Sequence, residues 1–488
     1  MPGDKLTKLI ESLTPQEKRY FRLRSRLYNV SSGHIRLYDI LVKEPAASNE
    51  KLIRAINSGT NVSAEKERLY QAIMNALRNY NLADSLPGAL IQGTSDLQIL
   101  FNKGMYWDCI AIADKLYQQA LNTNNLGYAL IILGHKQNCN NRLRNIKGLK
   151  QYTIEQKKLL QLIAETDGLR NLQSVLITWV HETNTPINLS SKRFVTGVLS
   201  NPLLSKPGSL LSFYNKIMAY RLIASCNHHM DDNKKALHAI TKALDLFKNK
   251  PDMLQIYLQP YIALLFTAQS TVFELDQFSA SGQYLDRLEQ IVAIKHPLLT
   301  ESTKADWKTE ILIRRIILCD AQKKYNEVLD LCKNHNNFPH FNMPANQITT
   351  NLYSAKAYFF QKQYDKALHP ISRNMNMLNA GIRTDLLLAS QLFHIMVQLM
   401  IGNAGIAPSF ITSYSRNCKK NKVTDTGIKS LLQFLNKLTK VYSNSTERKI
   451  TCKKFLSEFN AIKHKSITVD YMLDVTNFAS WVSSLAST

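Results

Sequence analysis

Glycine and proline are scarce in this chain of 488 residues, which contains 17 glycines and 14 prolines. Both residues interrupt regular structure, glycine through its backbone freedom and proline through its missing amide hydrogen. Alternating β-branched patterns are also few. The hydrophobic fraction of 45% and the charged fraction of 20% are those of a globular protein. With few breakers and with apolar residues at helical spacing, the sequence predicts an all-α fold.

Paired cysteines and long apolar runs are missing as well. The seven cysteines include no C-x-x-C pair, which argues against a disulfide framework and for reduced thiols in a cytosol. The N-terminus has no apolar signal core, and no apolar run approaches the ~18–20 residues of a membrane helix. The longest candidate, residues 391–401, is predicted to be a buried helix. We expect a cytoplasmic protein with no membrane span.

Motifs of catalysis and phosphate binding are not found. The glycines are scattered, and neither G-x-S-x-G nor H-E-x-x-H occurs. The densest group of metal-ligand types is residues 226–229, but adjacent histidines on a helix point about 100° apart. Cys332, His335 and His340 have loosely suitable spacing among loop-forming residues. We predict no catalytic, metal or cofactor site, and therefore no enzyme.

Acidic residues are outnumbered, since 61 lysines and arginines face 37 aspartates and glutamates, giving a formal charge of +24. A positive field of this size favours anionic partners, such as nucleic acid or an acidic protein. The other interpretation is a basic but unspecialised surface, because no run of five or more like charges occurs. Nucleic acid therefore stays a possible partner at this stage.

The clearest helix start lies near the N-terminus. Thr14 can cap the first free amides, Pro15 suits the first helical position, and Glu17 completes a capping box. Arg24 falls on the apolar side and must either extend its charged end to solvent or find a partner. The predicted helix has an apolar side formed by Tyr20, Phe21, Leu23, Leu27 and Tyr28. Its opposite side carries a basic stripe, which is either a solvated face or a contact for an anionic partner: Lys18, Arg19, Arg22 and Arg26.

The best-preserved packing pattern spans Leu352 to Leu368. Ala355 and Ala367 are small residues at which two antiparallel helices can approach closely. Tyr358 and Tyr364 are aromatic residues that can fill the space around that contact. We predict a helical hairpin whose alanines and aromatics serve repeat packing. Further copies are predicted around Gly104, between Ala224 and Ala236, between residues 264 and 291, and between residues 311 and 332.

The predicted turns of three units give an approximate period. In the unit of residues 264–291 we place the turn at residues 281–284, with Arg287 in the position of the small residue. Tyr325 then follows Tyr284 by 41 residues, and Tyr364 follows Tyr325 by 39. A period near 40 indicates an array of repeats. Pro370 lies close behind Tyr364, so we expect the second helix of that unit to be kinked or to begin late.

Composition divides the chain into three predicted parts. Residues 1–85 form an N-terminal helical module, and residues 86–410 form the repeat array. Residues 411–488 form a basic C-terminal helical cap with 13 lysines and arginines against 5 aspartates and glutamates. The last segment of that cap contains Trp481 and is predicted to be a closing helix.

The pattern at Ala355, Tyr358, Tyr364 and Ala367 resembles the tetratricopeptide repeat. That resemblance implies an α-α superhelix, a solenoid of helical hairpins in which polar residues of the concave face bind a ligand. The opening T-P-Q-E-K-R-Y-F at residues 14–21 is similar to that of a group of bacterial cytosolic proteins of similar length with degenerate repeats. This second resemblance covers most of the chain and implies no particular activity.

These features together predict a non-enzymatic scaffold or adaptor that binds a protein or peptide segment in a groove between preformed helices. The alternative is a nucleic-acid-associated regulator that uses the basic stripe of the N-terminal helix. The sequence leaves the ligand and the oligomeric state open.

Overall fold

The computed structural model describes most of the chain, which divides into two compact units, Met1–Ile163 and Ala164–Thr488. The described residues are 5–27, 32–45, 47, 49–56, 62–84, 86–182, 189–296, 298–333, 343–377, 382–424, 426–463 and 467–487. All regular structure within these ranges is helical, so the prediction of an all-α fold is confirmed. The three-part division and the superhelix stay predictions.

Unit 1 contains eight described helices and the first part of a ninth, which continues into unit 2. They are α1 (Lys5–Ser12), α2 (Pro15–Leu27), α3 (Ser32–Lys43), α4 (Asn49–Ile56), α5 (Val62–Asp84), α6 (Leu86–Asn102), α7 (Tyr106–Asn122), α8 (Leu126–Arg142) and α9 (Ile146–Glu182).

Unit 2 continues with sixteen described α-helices and two short 3-10 helices, Pro207–Ser209 and Pro251–Leu254. No helix in the described ranges is long and apolar enough to cross a membrane. The helices are α10 (Leu189–Leu199), α11 (Pro202–Ser205), α12 (Phe213–His229), α13 (Asn233–Asn249), α14 (Leu258–Glu274), α15 (Phe278–Ala293), α16 (Glu301–Ala321), α17 (Tyr325–Lys333), α18 (Pro344–Phe360), α19 (Tyr364–Met375), α20 (Thr384–Met400), α21 (Ala407–Lys420), α22 (Thr426–Val441), α23 (Ser445–Lys463), α24 (Ile467–Val475) and α25 (Phe478–Ser487).

The capping box predicted at the start of α2 is confirmed. The Thr14 amide donates to the Glu17 carboxylate (2.8 Å), and the Glu17 amide donates to the Thr14 hydroxyl (3.2 Å). Phe21 is buried against Tyr38, and Arg24 finds a partner in the Tyr20 hydroxyl (3.3 Å). These two hydrogen bonds satisfy free groups at the first turn, which explains why the helix begins where the sequence predicts.

One residue that the sequence predicts for the apolar side of α2 is not buried. The Leu23 side chain is 50% exposed, so the buried face of α2 is narrower than the sequence pattern suggests. The side chains of Leu27 and Tyr28 lie outside the described part of the chain.

Seven pairs of consecutive helices are joined by the same three-residue turn. In the α18/α19 turn, the Lys362 amide donates to the Phe359 carbonyl (2.9 Å), and the Gln363 amide donates to the Tyr358 carbonyl (2.9 Å). This pair of bonds satisfies carbonyls at the helix end and requires one left-handed residue. The residues with positive φ at these turns are Gly104, Asn124, Arg144, Asp231, Asp276, Lys323 and Lys362.

In six of these seven pairs the residue at the fourth position of the second helix is buried and in most of them small; the exception is α9, where the half-buried Leu149 holds this position. Ala367 holds this position in α19 and is fully buried, as is Ala355 on the facing helix α18. A short side chain here lets the two helix backbones come close, as in ridge-and-groove packing. The residues that occupy the same position, each at most 1% exposed, are Cys109, Ala129, Ala236, Ser281, Val328 and Ala367.

The turn predicted at residues 281–284 is wrong, because these residues lie inside α15. The turn is centred on Asp276 (φ 57°), and Ser281 rather than Arg287 takes the small position. Arg287 lies further along α15, over the Tyr261 ring. Measured between the first residues of α15, α17 and α19, the intervals are 47 and 39 residues. The regular period near 40 therefore does not hold.

Pro370 lies inside α19, which begins directly after its turn at Tyr364 and continues to Met375. The prediction that this helix begins late is therefore wrong. Proline has no amide hydrogen, so the Lys366 carbonyl receives no bond from position 370. The kink stays a prediction.

A single apolar core extends from Leu312 to Leu485 in unit 2. Its centre is α20, on which thirteen of seventeen residues are buried, as predicted for residues 391–401. Tyr414 on α21 donates to the Met472 sulfur on α24 (3.4 Å). Trp481 on α25 is 1% exposed within the same core. A helix that is apolar on all sides needs neighbours on all sides, and the C-terminal helices supply some of them.

The left-handed turns allow a direct test of backbone strain. We expect Lys362→Gly to raise the free energy of unfolding by up to about 1 kcal/mol, since a residue with a side chain is strained at a φ of 61° and glycine is not. The matched control is Lys366→Gly at the exposed third residue of α19, which should lower the free energy of unfolding by about 0.5–1 kcal/mol. Urea unfolding followed by circular dichroism measures the free energy of unfolding of both variants. Changes of the same sign in the two variants would contradict the explanation.

Candidate functional site

The candidate site is a cavity of about 410 Å³ in unit 2, named here the arginine cavity after Arg221 and Arg314, which line it. Helices α12 and α14, the first helices of two neighbouring hairpins, supply most of its wall, and α16, the first helix of the next hairpin, contributes only Arg314. Helix α13 contributes only Ile240, and the last part of α9 closes another side. The hairpin turns and the small residues behind them position these helices, so the cavity depends on the regular packing of the hairpins.

The wall of the arginine cavity combines apolar surface with neutral polar groups. Aliphatic and aromatic side chains cover part of it, including Leu176, Met218, Leu222, Leu264 and Phe266. Hydroxyl and amide groups on the same wall belong to Gln173, Ser225, Thr267, Ser270 and Thr271. Largely apolar walls with a few polar groups are typical of ligand sites, and the volume lies within their usual range of ~300–1,000 Å³.

Arg314 is held in place by several groups. Its Nε donates to the Glu310 carboxylate (2.6 Å), and its Nη1 donates to Gln269 Oε1 (2.7 Å) and contacts the Ser270 hydroxyl. Its guanidinium also lies over the Phe266 ring, 5.0 Å from the ring centre. These contacts fix the guanidinium plane at the cavity wall while leaving Nη2 without a hydrogen bond to any described residue.

Arg221 differs from Arg314 in having no such partner. It is only partly exposed, and it makes no ion pair or hydrogen bond with another residue that the structure describes. Burial lowers the pKa of Arg221, and the nearby Tyr214 opposes that shift. A half-buried guanidinium with its donors unsatisfied is costly unless a ligand or solvent supplies acceptors.

Two adjacent histidines, His228 and His229, also line the cavity. His228 is exposed, and its Nδ1 lies 3.0 Å from the Asn233 side-chain oxygen. His229 packs edge-on against the Trp179 ring, and burial together with His228 lowers the pKa of His229. His229 is therefore a neutral polar group at neutral pH.

The possible metal ligands of the sequence do not converge here. Cys226 is buried in the core away from the cavity, and burial raises its pKa to about 11. Across the described ranges, no group of three histidine, cysteine or acidic residues is arranged to hold a metal. His335 and His340 lie outside those ranges, and the seven cysteines, all described, form no disulfide bond.

The basic stripe of α2 is only partly available to a partner. Arg22 donates to the Asp39 carboxylate (2.6 Å) and lies over the Tyr38 ring. Arg19 is exposed and Lys18 is half-buried, while the Arg26 side chain lies outside the described part. An arginine already paired with a carboxylate is less free to neutralise a phosphate. Nucleic-acid binding by the stripe stays a prediction.

The residues predicted for repeat packing lie together on α18 and α19. The Tyr364 ring meets Phe359 edge-on at 5.3 Å, and Ala355 and Ala367 are fully buried on the same two helices. Tyr358 is half-buried and lines a second cavity of about 820 Å³. The chain places Pro370 and Arg373 on the wall of the same cavity.

Two buried lysines outside the arginine cavity are fully paired. Lys136 in unit 1 contacts both Asp114 and Glu155 at 2.7 Å. Burial alone would lower the pKa of Lys136, but the two carboxylates raise it overall. Lys356 in unit 2 pairs with Asp320 at 2.7 Å. Both clusters join neighbouring helices, which is a structural role.

Sequence reasoning missed Arg221 and Arg314. Each interrupts a short apolar run of its helix, as Y-R-L-I and I-R-R-I, and that interruption is the available signal. It does not tell a surface arginine from one lining a cavity, since the cavity is closed by residues more than 40 positions apart in the chain.

Comparison of the chain with protein-family models and with curated proteins found no match in either. The similarity to the tetratricopeptide repeat therefore rests on the residues of the hairpins alone, and membership of that family stays a prediction.

Proposed function

We propose that this chain is a non-enzymatic binding protein, an array of tetratricopeptide-like hairpins that holds a peptide or protein segment in the arginine cavity. The observation that carries the proposal is the cavity itself, formed chiefly between α12 and α14, the first helices of two neighbouring hairpins in unit 2, with Arg314 of α16 beside them. Repeat proteins present binding surfaces in this way, by aligning equivalent helices.

Preformed walls support binding of an extended segment. The helices that line the cavity are fixed by short turns and buried contacts, as in the buried Gln269–Ser281 bond (2.9 Å) that ties α14 to α15. A rigid wall loses little conformational entropy when a ligand binds. The mixture of apolar surface and hydroxyl groups suits a peptide, which offers both side chains and backbone amides.

Filling the cavity tests this proposal. Peptides are selected from a random phage-displayed library on the full chain, and their affinity is measured by fluorescence anisotropy. Thr267 is an exposed residue at the cavity wall, and its hydroxyl donates to the Ala263 carbonyl (2.8 Å). We expect Thr267→Trp to weaken binding by at least about 10-fold, since the ring occupies space that the ligand needs.

The matched control is Thr241→Trp on α13. Thr241 is also exposed and bonded to the carbonyl four residues earlier (2.9 Å), but it lies outside the cavity. Affinity should be unchanged in this variant, and circular dichroism should be the same for both. Equal affinities of the two variants for every selected peptide would remove the arginine cavity as the binding site.

A further inference from the structure

The ionisable groups on the wall of the arginine cavity are all basic. They are Arg221, Arg314, His228 and His229, and none of the described residues that line the cavity is an aspartate or glutamate. Glu310 pairs with Arg314 from outside the lining, on the exposed side of α16. The cavity therefore has a positive potential, which low-dielectric walls strengthen.

The two arginines are suited to an oxyanion in different ways. Arg314 is fixed by Glu310, Gln269 and Ser270, so its free Nη2 has a defined direction. Arg221 keeps its donors free of any described partner, although it is only partly exposed. Guanidinium groups bind carboxylates with two parallel hydrogen bonds, and such charge-assisted bonds are the strong ones.

The apolar part of the wall restricts what accompanies the anion. Met218 and Leu222 lie on the same helix as Arg221, and Phe266 lies beneath the Arg314 guanidinium. A free inorganic ion would leave this surface wet. A ligand with an apolar side chain beside its anionic group would cover it and gain the free energy of burial.

We propose that the arginine cavity binds a carboxylate of an acidic peptide, with an adjacent apolar side chain packed on Met218, Leu222 and Phe266. This inference rests on the proposed function and names the chemistry of its ligand. The carboxylate belongs either to an aspartate or glutamate side chain or to the C-terminus of the peptide.

The test uses a peptide selected on the full chain, a version with its acidic residues changed to the corresponding amides, and a version with an amidated C-terminus. Each is titrated by anisotropy against the wild type, Arg221→Gln and Arg221→Lys. The control protein is Lys242→Gln, which removes one exposed charge of α13 outside the cavity. All four proteins are compared at the same ionic strength, because dissolved salt screens the attraction between the charged protein and the peptide.

We expect loss of the relevant carboxylate to weaken binding to the wild type by about 10- to 100-fold. Arg221→Gln should weaken binding of the acidic peptide by a similar factor and leave binding of the neutralised peptide unchanged. Arg221→Lys should recover part of the loss, because an ammonium keeps the charge and loses the two-bond geometry. Lys242→Gln should bind like the wild type. Which peptide version loses affinity identifies the source of the carboxylate.

Two results would overturn the inference, and they are separate from failure of the proposed function. Peptides blocked by Thr267→Trp but indifferent to carboxylate removal or to Arg221→Gln would leave the proposed function standing and remove the anion site. If no peptide is blocked by Thr267→Trp, the proposed function fails. The anion site is then tested separately, by measuring Tm in glutarate and in sodium chloride at equal ionic strength. If glutarate raises the Tm of the wild type but not that of Arg221→Gln, the anion site is retained. If glutarate changes the Tm of both proteins equally, the anion site is removed.

Discussion

Lys356→Met is expected to lower the free energy of unfolding of unit 2 by about 3–5 kcal/mol, because it leaves a buried carboxylate without its counter-charge. Lys356 on α18 is 1% exposed and Asp320 on α16 is 6% exposed, with Nζ and Oδ2 2.7 Å apart. The other carboxylate oxygen of Asp320 already has no hydrogen bond within the described residues. Without the lysine, the aspartate must take up a proton or draw water into the core.

The double variant Lys356→Met with Asp320→Leu separates the buried charge from the loss of packing. Replacing both partners by apolar residues of similar size removes the unpaired carboxylate, so most of the lost stability should return. Lys366→Met on the exposed face of α19 is the matched control and should change stability by less than about 0.5 kcal/mol.

Urea unfolding followed by tryptophan fluorescence measures these effects, since Trp179, Trp307 and Trp481 belong to unit 2 and only Trp107 to unit 1. The explanation fails if the single variant loses less than about 1 kcal/mol, or if the double variant is no more stable than the single one.

Trp481→Ala is expected to cost about 3–5 kcal/mol, the range for removing a buried aromatic ring. Trp481 is 1% exposed on α25, and its ring meets Phe478 at 5.2 Å. Phe478 in turn contacts Phe455 of α23 at 5.8 Å. The cavity left by alanine would lie inside the core that extends from Leu312 to Leu485.

Trp481→Phe separates the effect of side-chain size from the effect of the buried polar group. The indole Nε1 is buried without a hydrogen bond within the described residues. Phenylalanine removes that unsatisfied donor, which offsets part of the lost contact. We therefore expect phenylalanine to cost much less than alanine. Circular dichroism in urea gives the midpoints, because the tryptophan itself is changed. If alanine merely frees α25 to proteolysis and leaves the midpoint of unit 2 unchanged, the last helix does not belong to the cooperative core.

Local chemistry explains which elements could be predicted from the sequence. The start of α2 carries its own cap in Thr14 and Glu17. The turn at Gly104 was visible because glycine suits the left-handed conformation it adopts there. Each of these signals lies within a few residues of the feature it predicts.

The turn at Asp276 shows the limit of that reasoning. It uses a left-handed aspartate, whereas the glycine that suggested a turn, Gly282, lies in α15. Non-glycine residues also hold the left-handed position at Asn124 and Arg144, so two turns of unit 1 carried no glycine signal. Tertiary packing overrides local preference at these positions.

Buried charges depend on partners that are distant in sequence. The A-K-A-Y pattern around Lys356 is typical of a helix surface, and its partner Asp320 lies 36 residues earlier. The same holds for Arg221, whose cavity is closed by side chains of four other helices. The sequence predicted the helices and the hairpins, and the candidate site required their arrangement.

The three-residue turns also limit where the chain can accept inserted residues. One extra residue at Lys362 would rotate the following helix by about 100° relative to its partner, and Ala367 would leave its buried position. We therefore expect insertions, fusion tags and labels that add residues to these seven turns to destabilise the fold. The connection between α15 and α16, where Ile294 ends the helix in an extended conformation, does not join the two helices of a hairpin. Length variation is tolerable there, because no small-residue contact depends on its register.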